Sequence, residues 1–304
     1  MNSIIPDSDA GQTADALVLP APAKINVFLE VAGKRDDGFH ELETVMLRTS
    51  LSDTLFVRPA SSGISLSLHP DSEPAAAADF PLGESNLIVR AARLLQQTTG
   101  CLSGAEICVL KRIPAEAGLA GGSSNAATAL RALNQIWQLN CDKPRLHTLA
   151  AKLGSDISFF VEDCRAAVCR GRGEQVEPIS LAHPVHLVAA RRPQGNSTPD
   201  VFRRTTIPAP AERQLMAPIR QALTVGDNQA IAEHTFNRLT AAAAAGNASM
   251  RHLLALMAAE LGVPAHMSGS GSTCFCYAAD AEQAEQYAAQ LRSHEVPFVC
   301  VLKC

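Results

Sequence analysis

Ile113-Pro-Ala-Glu-Ala-Gly118-Leu-Ala-Gly121-Gly122-Ser123-Ser124-Asn125-Ala126 is the most informative run in the chain. Residues 107–110 just before it read as a short apolar strand. Residues 125–139 after it place Ala126, Leu130, Leu133 and Trp137 on one helical face. A glycine-rich bend between strand and helix lets the main chain approach a ligand closely. The first N–H groups of the helix have no partner inside it, and their aligned dipoles favour an anion such as phosphate. Ser123 and Ser124 add hydroxyls suited to phosphate or to a phosphate-bound Mg2+. The same residues also suit a flexible turn with a serine helix cap, and local chemistry leaves both readings open. The run lacks the Gly-Lys-Ser/Thr ending of a P-loop and the spacing Gly-x-Gly-x-x-Gly, so a nucleotide site here is of another design.

Outward from this bend, residues 23–32 alternate Ile25, Val27, Leu29 and Val31 with Lys24, Asn26 and Glu30, the period of a strand. A polar turn at residues 33–38 predicts a hairpin into further strands at 42–57 and 64–68. Residues 70–81, rich in Pro, Ala and Asp, read as an exposed loop. A helix is expected over 86–97, capped by Ser85 or Asn86, another over 146–153, and a strand from Val168. Residues 178–184 look like a join. Beyond it come a strand at 185–190, helices at 215–223, 229–239 and 248–261, a strand at 273–277, a helix at 281–292 and a last strand at 298–302. Met250, Leu253, Leu254 and Met257 read as core. Strands and helices mix without strict βαβ alternation, which predicts an α+β chain in two lobes. The expected division is a disordered tail at residues 1–20, an N-terminal domain at 21–178 and a C-terminal domain at 179–304. There is no internal repeat.

Composition narrows the function. The 304 residues carry 26 Lys+Arg against 30 Asp+Glu, a net charge of −4, so no global field draws the chain to nucleic acid or anionic lipid. At 47% hydrophobic and 18% charged it can bury a large core. One Trp and two Tyr disfavour a broad stacking platform for single strands. No apolar run approaches the ~18–20 residues of a membrane span. The acidic opening matches neither a secretory signal nor an Arg-rich transit peptide. Nine scattered cysteines without a Cys-x-x-Cys pair read as reduced thiols, and the expected location is cytoplasmic.

Several residues stand out for chemistry. Lys24, beside Asn26, lies in an otherwise apolar strand; it either faces solvent or serves a site. Asp156, in Leu153-Gly-Ser-Asp156-Ile-Ser-Phe159, either caps the next element or works as a base. A Lys facing that Asp across a cleft would keep the carboxylate ionised and able to accept a hydroxyl proton. Gly38-Phe39-His40 offers an aromatic face and a hydrogen-bonding ring, or a packed Phe with an exposed His. Ser268-Gly269-Ser270-Gly271-Ser272 is a second glycine turn that, with the first, could flank one phosphate chain. His40-Glu41 lacks the second His of a zinc-protease helix, and His183 and His186 straddle a proline, which disfavours a metal pair. The absence of Gly-x-Ser-x-Gly argues against a serine hydrolase.

In this order, Pro22-Ala-Lys24-Ile-Asn26, the Pro114 to Ala126 loop and Gly269-Ser-Gly271 resemble the motifs of the GHMP kinases, the small-molecule kinases of galactose, homoserine, mevalonate and phosphomevalonate. Residues 22–29, 33–40, Asn86-Leu-Ile-Val-Arg-Ala-Ala, 121–126 and Leu153-Gly-Ser-Asp156 are most similar to the branch that phosphorylates a cytidylated methylerythritol in non-mevalonate isoprenoid biosynthesis. The resemblance runs from about Ala21 to Cys304, more loosely in the second lobe. It implies an N-terminal lobe like ribosomal protein S5 domain 2, a ferredoxin-like C-terminal lobe, and ATP between them. It also implies phosphates on Pro114, Gly118, Leu119, Ala120, Gly121, Gly122, Ser123 and Ser124, with Mg2+ bridging them and Ser124 a candidate ligand. Asn86 and Lys111 fall at the adenine pocket, and Asp156 and Lys24 match the catalytic carboxylate and its partner. Phe39 and His40 match the cytosine-recognition pair, with Phe202 closing over the base's other face. Asn26 and Thr198 fall at the sugar-alcohol or diphosphate end. The implied partner is a cytidylated small molecule, with no nucleic acid or membrane, and the protein is expected to be a monomer or weak homodimer.

The chain departs from the family pattern at three places. Ala120 stands where the phosphate loop usually has its central glycine, and an Ala there must keep φ negative or carry strain. Ser158 replaces a common Pro, and Phe39 a frequent Tyr, which keeps the stacking face and loses a hydroxyl. The competing readings are a sister kinase acting on homoserine or mevalonate, against which Phe39-His40 and Phe202 argue, and a non-catalytic nucleotide-binding module, against which Lys24 and Asp156 argue.

Overall fold

The computed structural model describes residues 16–304. The first lobe opens with a long antiparallel pair, β1 (Leu17–Lys34) and β2 (His40–Ala60), followed by β3 (Ile64–Leu68), a short α1 (Pro74–Ala77), α2 (Leu87–Thr99) and β4 (Gly104–Leu110). Then come α3 (Gly121–Ile136), α4 (Lys143–Leu153), α5 (Ile157–Glu162), β5 (Ala166–Gly171) and β6 (Gln175–Ile179). The rest supplies β7 (His186–Arg191), α6 (Thr198–Arg204), α7 (Ala217–Val225), α8 (Asn228–His234), β8 (Phe236–Asn237), α9 (Thr240–Gly246) and α10 (Ala248–Leu261). It closes with β9 (His266–Met267), β10 (Cys274–Ala278), α11 (Ala281–Ser293) and β11 (Phe298–Lys303).

Two sheets organise these elements into the expected α+β arrangement. The first has seven strands in the path β3-β4-β2-β1-β8, with β5 on β2 and β6 on β5. At 21 residues, β2 is long enough to hold two neighbours in succession on one side: Leu42–Leu47 pair with β5 and Thr54–Ala60 with β4. The second sheet is antiparallel, in the order β11-β7-β10-β9. Strand β7 shows the two-residue period: Leu187 and Ala189 face the core between the sheets, whereas Val188 and Ala190 face α10 and α11. No helix among the described residues is long and apolar enough to cross a membrane. The nine cysteines form no disulfide.

The structure corrects several expectations. Residues 17–20 do not belong to a tail: they open β1 and pair with Thr54 to Val57, with Leu17 and Leu19 against the core. Pro20 and Pro22 are tolerated there because β1 meets its second neighbour, β8, only at Phe28 and Leu29, so no ladder amide is missed. The remainder of the expected tail lies outside the described residues. The helix expected over 229–239 stops at His234, and Phe236–Asn237 instead pair in parallel with β1, a tertiary contact that overrides local helical period. The loop at 70–81 holds α1, with Pro74 in its first turn, where a missing N–H costs nothing. Helix α3 starts at Gly121 rather than Asn125.

The polar side of β1 is not solvated. Lys24, Asn26 and Glu30 are each no more than 3% exposed, because the second lobe covers that face. Bulges between Pro22 and Lys24 and between Asn26 and Phe28 bracket the two site residues and re-aim them.

Candidate active site

A cleft of about 1370 Å³ runs between the lobes and is lined by residues from both, among them Lys24, Asn86, Asp156, Phe39, Phe202 and Gly269. Its floor is the bend ahead of α3. The first intrahelical bond runs from the Ser124 N–H to the Ala120 carbonyl at 2.9 Å, so the amides of Gly121, Gly122 and Ser123 have no helical partner. No side chain caps this helix, which leaves its positive end open to an anion. Ala120 does adopt the left-handed region, with φ 56°, contrary to the negative φ that an alanine favours. Just ahead of Ala120 the bend is held from both lobes. The Lys24 N–H donates to the Leu119 carbonyl at 3.1 Å, and the Thr273 N–H to the Ala117 carbonyl at 3.2 Å.

The two glycine turns meet. Gly118 has φ 73°, and a Cβ there would lie 2.2 Å from the Ser268 carbonyl oxygen, so only glycine permits this approach. The Ser268 hydroxyl donates to the Gly118 carbonyl at 3.0 Å. The Asn237 amide donates to the carbonyls of Met267 and Gly269, both at 2.8 Å, pinning the second turn to β8. Arg191 on β7 donates to the Ala115 carbonyl at 3.0 Å.

Lys24 and Asp156 converge. Lys24 Nζ stands 3.6 Å from Asp156 Oδ2 and donates to Asn26 Oδ1 and, at 2.9 Å, to the Gly118 carbonyl. Asn26 is held by its own amide donating to Thr44 Oγ1 at 2.9 Å. The Asp156 side chain makes no helix-capping bond to α5, so capping is not its role. Its negative charge adds to burial in pushing the nearby Cys169 thiol up, which keeps that thiol protonated.

Of the other expected nucleotide contacts, Pro114, Gly118, Ala120, Gly121, Gly122 and Ser123 line the cleft. Leu119 does not: its side chain is fully buried in the core, and only its carbonyl takes part. Ser124 lies behind the same surface, buried, with a hydroxyl that has no partner. Asn86 and Lys111 line the cleft, but their side chains are engaged within the protein. Asn86 caps α2 through Ile88 N–H (2.9 Å) and donates to the Pro81 carbonyl (2.6 Å). Lys111 Nζ pairs with Asp53 at 2.8 Å and donates to the Ile113 carbonyl. Burial lowers the Lys111 pKa, and the Asp53 carboxylate opposes that shift.

At the far end, Phe39 is half exposed and carries the Arg172 guanidinium over its ring, 4.6 Å from the centroid. Phe202 does not stand free opposite Phe39. It stacks on His40, with centroids 4.8 Å apart and planes at 25°. Burial, helped by the Lys34 charge, lowers the His40 pKa and favours the neutral ring. Thr198 Oγ1 shares a hydrogen bond of 2.7 Å with Ser270 Oγ.

Sequence reading missed Asp53, Asn125 and Arg172. Asp53 accepts from Arg112 and Ile113 N–H at 2.7 and 2.8 Å and so shapes the entry to the bend; a carboxylate just ahead of the apolar run Leu55-Phe56-Val57 was its signal. Asn125 lines the cleft with both side-chain polar atoms buried and unpartnered. Arg172, between Gly171 and Gly173, had no signal beyond its turn.

Comparison with known proteins points to one family. The family profile "GHMP kinases N terminal domain" matches residues 86–163, and "GHMP kinases C terminal" matches residues 219–296. The chain is 40% identical over 276 residues to 4-diphosphocytidyl-2-C-methyl-D-erythritol kinase of Pelotomaculum thermopropionicum, covering 90% of this chain and 92% of that one. It is 34% identical to the Pseudomonas aeruginosa protein of the same name, covering 93% of each. A crystal structure of 4-(cytidine 5'-diphospho)-2C-methyl-D-erythritol kinase superposes with TM-score 0.77 at 33% identity, covering 94% of this chain and 98% of that one. Homoserine kinase from Cytophaga hutchinsonii, at 17% identity and TM-score 0.71 over 97% of this chain and 96% of that one, shares the fold.

Proposed function

The chain belongs to the GHMP kinases and, among them, to the 4-diphosphocytidyl-2-C-methyl-D-erythritol kinases, and from that membership we propose the reaction and the residues that carry it. The γ-phosphoryl of ATP passes to the 2-hydroxyl of 4-(cytidine 5'-diphospho)-2-C-methyl-D-erythritol, a step of isoprenoid biosynthesis by the non-mevalonate route. The observation that carries the assignment of residues is the Lys24–Asp156 pair at 3.6 Å, beside a helix end with free amides.

The acceptor oxygen bonds to the γ-phosphorus as the bond to the β–γ bridging oxygen breaks, and ADP leaves with that electron pair. Asp156 takes the hydroxyl proton. Lys24, held by Asn26 and Gly118, keeps its ammonium beside the transferring group and fixes the carboxylate. The transition state of such a transfer is loose, so alignment and charge neutralisation supply most of the rate. The amides of Gly121, Gly122 and Ser123 hold the β- and γ-phosphates.

No group of three or more His, Cys, Asp and Glu that could hold a metal exists among the described residues. That fits Mg2+ arriving on the nucleotide, since this ion keeps most of its shell as water and phosphate. The side-chain oxygen that would face it is the cleft-lining Ser123 hydroxyl rather than the expected Ser124, which is buried behind that surface, and the ion would supply charge neutralisation at the phosphates.

Phe39 and His40 receive the cytosine, and Thr198 lies toward the diphosphate. The domain division near residue 179 accords with β6 ending at Ile179 and β7 joining the other sheet. The test is phosphorylation of the cytidylated acceptor, with free methylerythritol, homoserine and mevalonate as comparators. Transfer only to the first is expected; transfer to a comparator and none to the cytidylated compound would overturn the assignment.

A further inference from the structure

Arg172 sits on the turn between β5 and β6, in Gly171-Arg172-Gly173. Its backbone is fixed: the Arg172 N–H donates to the Glu174 carboxylate at 2.6 Å, and Gly173 N–H to the Arg170 carbonyl at 3.0 Å. The turn rests on the segment that carries the base. A Cβ on Gly173 would lie 3.6 Å from Ser155 and 3.8 Å from Asp156 Oδ1. From there the guanidinium reaches two places at once. Nη2 donates to the Ala151 carbonyl at 3.0 Å, in the last turn of α4, where the negative end of the helix dipole favours a cation. The guanidinium carbon lies over the face of Phe39 at 4.6 Å, within the range of a cation–π contact.

We infer that Arg172 is a positioning residue that sets acceptor specificity: it holds the Phe39 ring from one face and ties that platform to the Asp156 segment. Phe39 stands just before β2, half exposed, on a hairpin that by itself leaves the ring free to turn. With one face taken by a planar cation anchored on α4, the other face is presented to the cleft, which both residues line. The link also fixes the span between the base-binding end and the carboxylate that receives the proton. This inference rests on the reading of the acceptor as a cytidylated compound.

The test is steady-state kinetics of Arg172→Met and Arg172→Lys, each in the wild-type and Phe39→Ala backgrounds, with cytidylated acceptor and ATP varied separately. Arg172→Met is expected to raise the acceptor KM about tenfold, the size of a partly desolvated cation–π contact, and to leave kcat and the ATP KM within about twofold. Arg172→Lys should restore part of the loss, because an ammonium keeps the charge but not the planar fork. In the Phe39→Ala background the Met change should have almost no further effect, since the cation has no ring to hold. An equal rise in both backgrounds would overturn the inference and make Arg172 a direct contact to the diphosphate, as would an unchanged KM in the wild-type background. A wild-type protein inert toward the cytidylated acceptor but active on another alcohol is a separate result, and it would remove the functional reading and this inference together.

Discussion

The Lys24 ammonium and the Asp156 carboxylate lie 3.6 Å apart, yet their surroundings are unequal: the side chain of Lys24 is 4% exposed and that of Asp156 29%. The cation is locked by Asn26 Oδ1 and the Gly118 carbonyl, and the carboxylate keeps an open side toward the cleft. A fixed cation and an accessible base are what proton removal beside a transferring phosphoryl needs.

Asp156→Asn is therefore expected to lower kcat by about 10²- to 10⁴-fold, the usual share of a general base. Nucleotide affinity should stay nearly unchanged, because the proposed phosphate site is built from amides and not from this carboxylate. Single-turnover phosphate transfer and ATP titration check the two halves separately. Near-normal kcat would remove Asp156 from the chemistry.

Phe39→Ala is expected to act on the acceptor. Loss of a stacking face costs about 1–3 kcal/mol by analogy with bases on aromatic side chains. That corresponds to a rise in acceptor KM of about 5- to 150-fold, with the ATP KM unmoved. An unchanged acceptor KM would place the cytosine elsewhere.

Two left-handed positions flanking Leu119 should respond differently. Gly118→Ala drives a Cβ to 2.2 Å from the Ser268 carbonyl and is expected to part the two glycine turns, with loss of turnover. Ala120→Gly removes about 1 kcal/mol of left-handed strain but gives the unfolded chain a comparable entropy gain. Its stability in urea should stay within about 0.5 kcal/mol of wild type. A large shift for Ala120→Gly, or a fully active Gly118→Ala, would contradict the geometry of the bend.

Glu30 sets an acid limit on stability. Its buried carboxylate accepts from Arg238 Nε and Nη2 at 2.7 and 2.6 Å and from the amides of Val31 and Gln214. Burial alone would raise its pKa; the guanidinium and the two amides outweigh burial and hold it below the ordinary 4.5. The unfolded chain thus binds more protons between the two values, so the contribution is complete above about 4.5 and fades as pH falls through the folded value. Glu30→Gln should cost about 2 kcal/mol at pH 7, and its deficit in denaturant melts should shrink below pH 4. A deficit that stays constant down to pH 2 would show that the carboxylate charge is not what stabilises.

The amino-acid order alone determined the features set by near neighbours. Helix α10 lies where its spacing put it, Asn86, one of the two expected caps, closes α2, and the glycine bend opens a helix N-terminus. These depend on side-chain period, cap hydrogen bonds and backbone freedom within a few residues. Only the tertiary structure decided that the polar edge of β1 is covered rather than solvated, and that Asp53 takes up Lys111. It also stacked Phe202 on His40 and brought Arg172 over Phe39. Those contacts join residues far apart in the chain, and their distances follow from how the two sheets and their connecting segments pack together. A linear pattern carries no measure of that separation, so a Lys in a strand reads the same whether water or a second lobe lies beyond it.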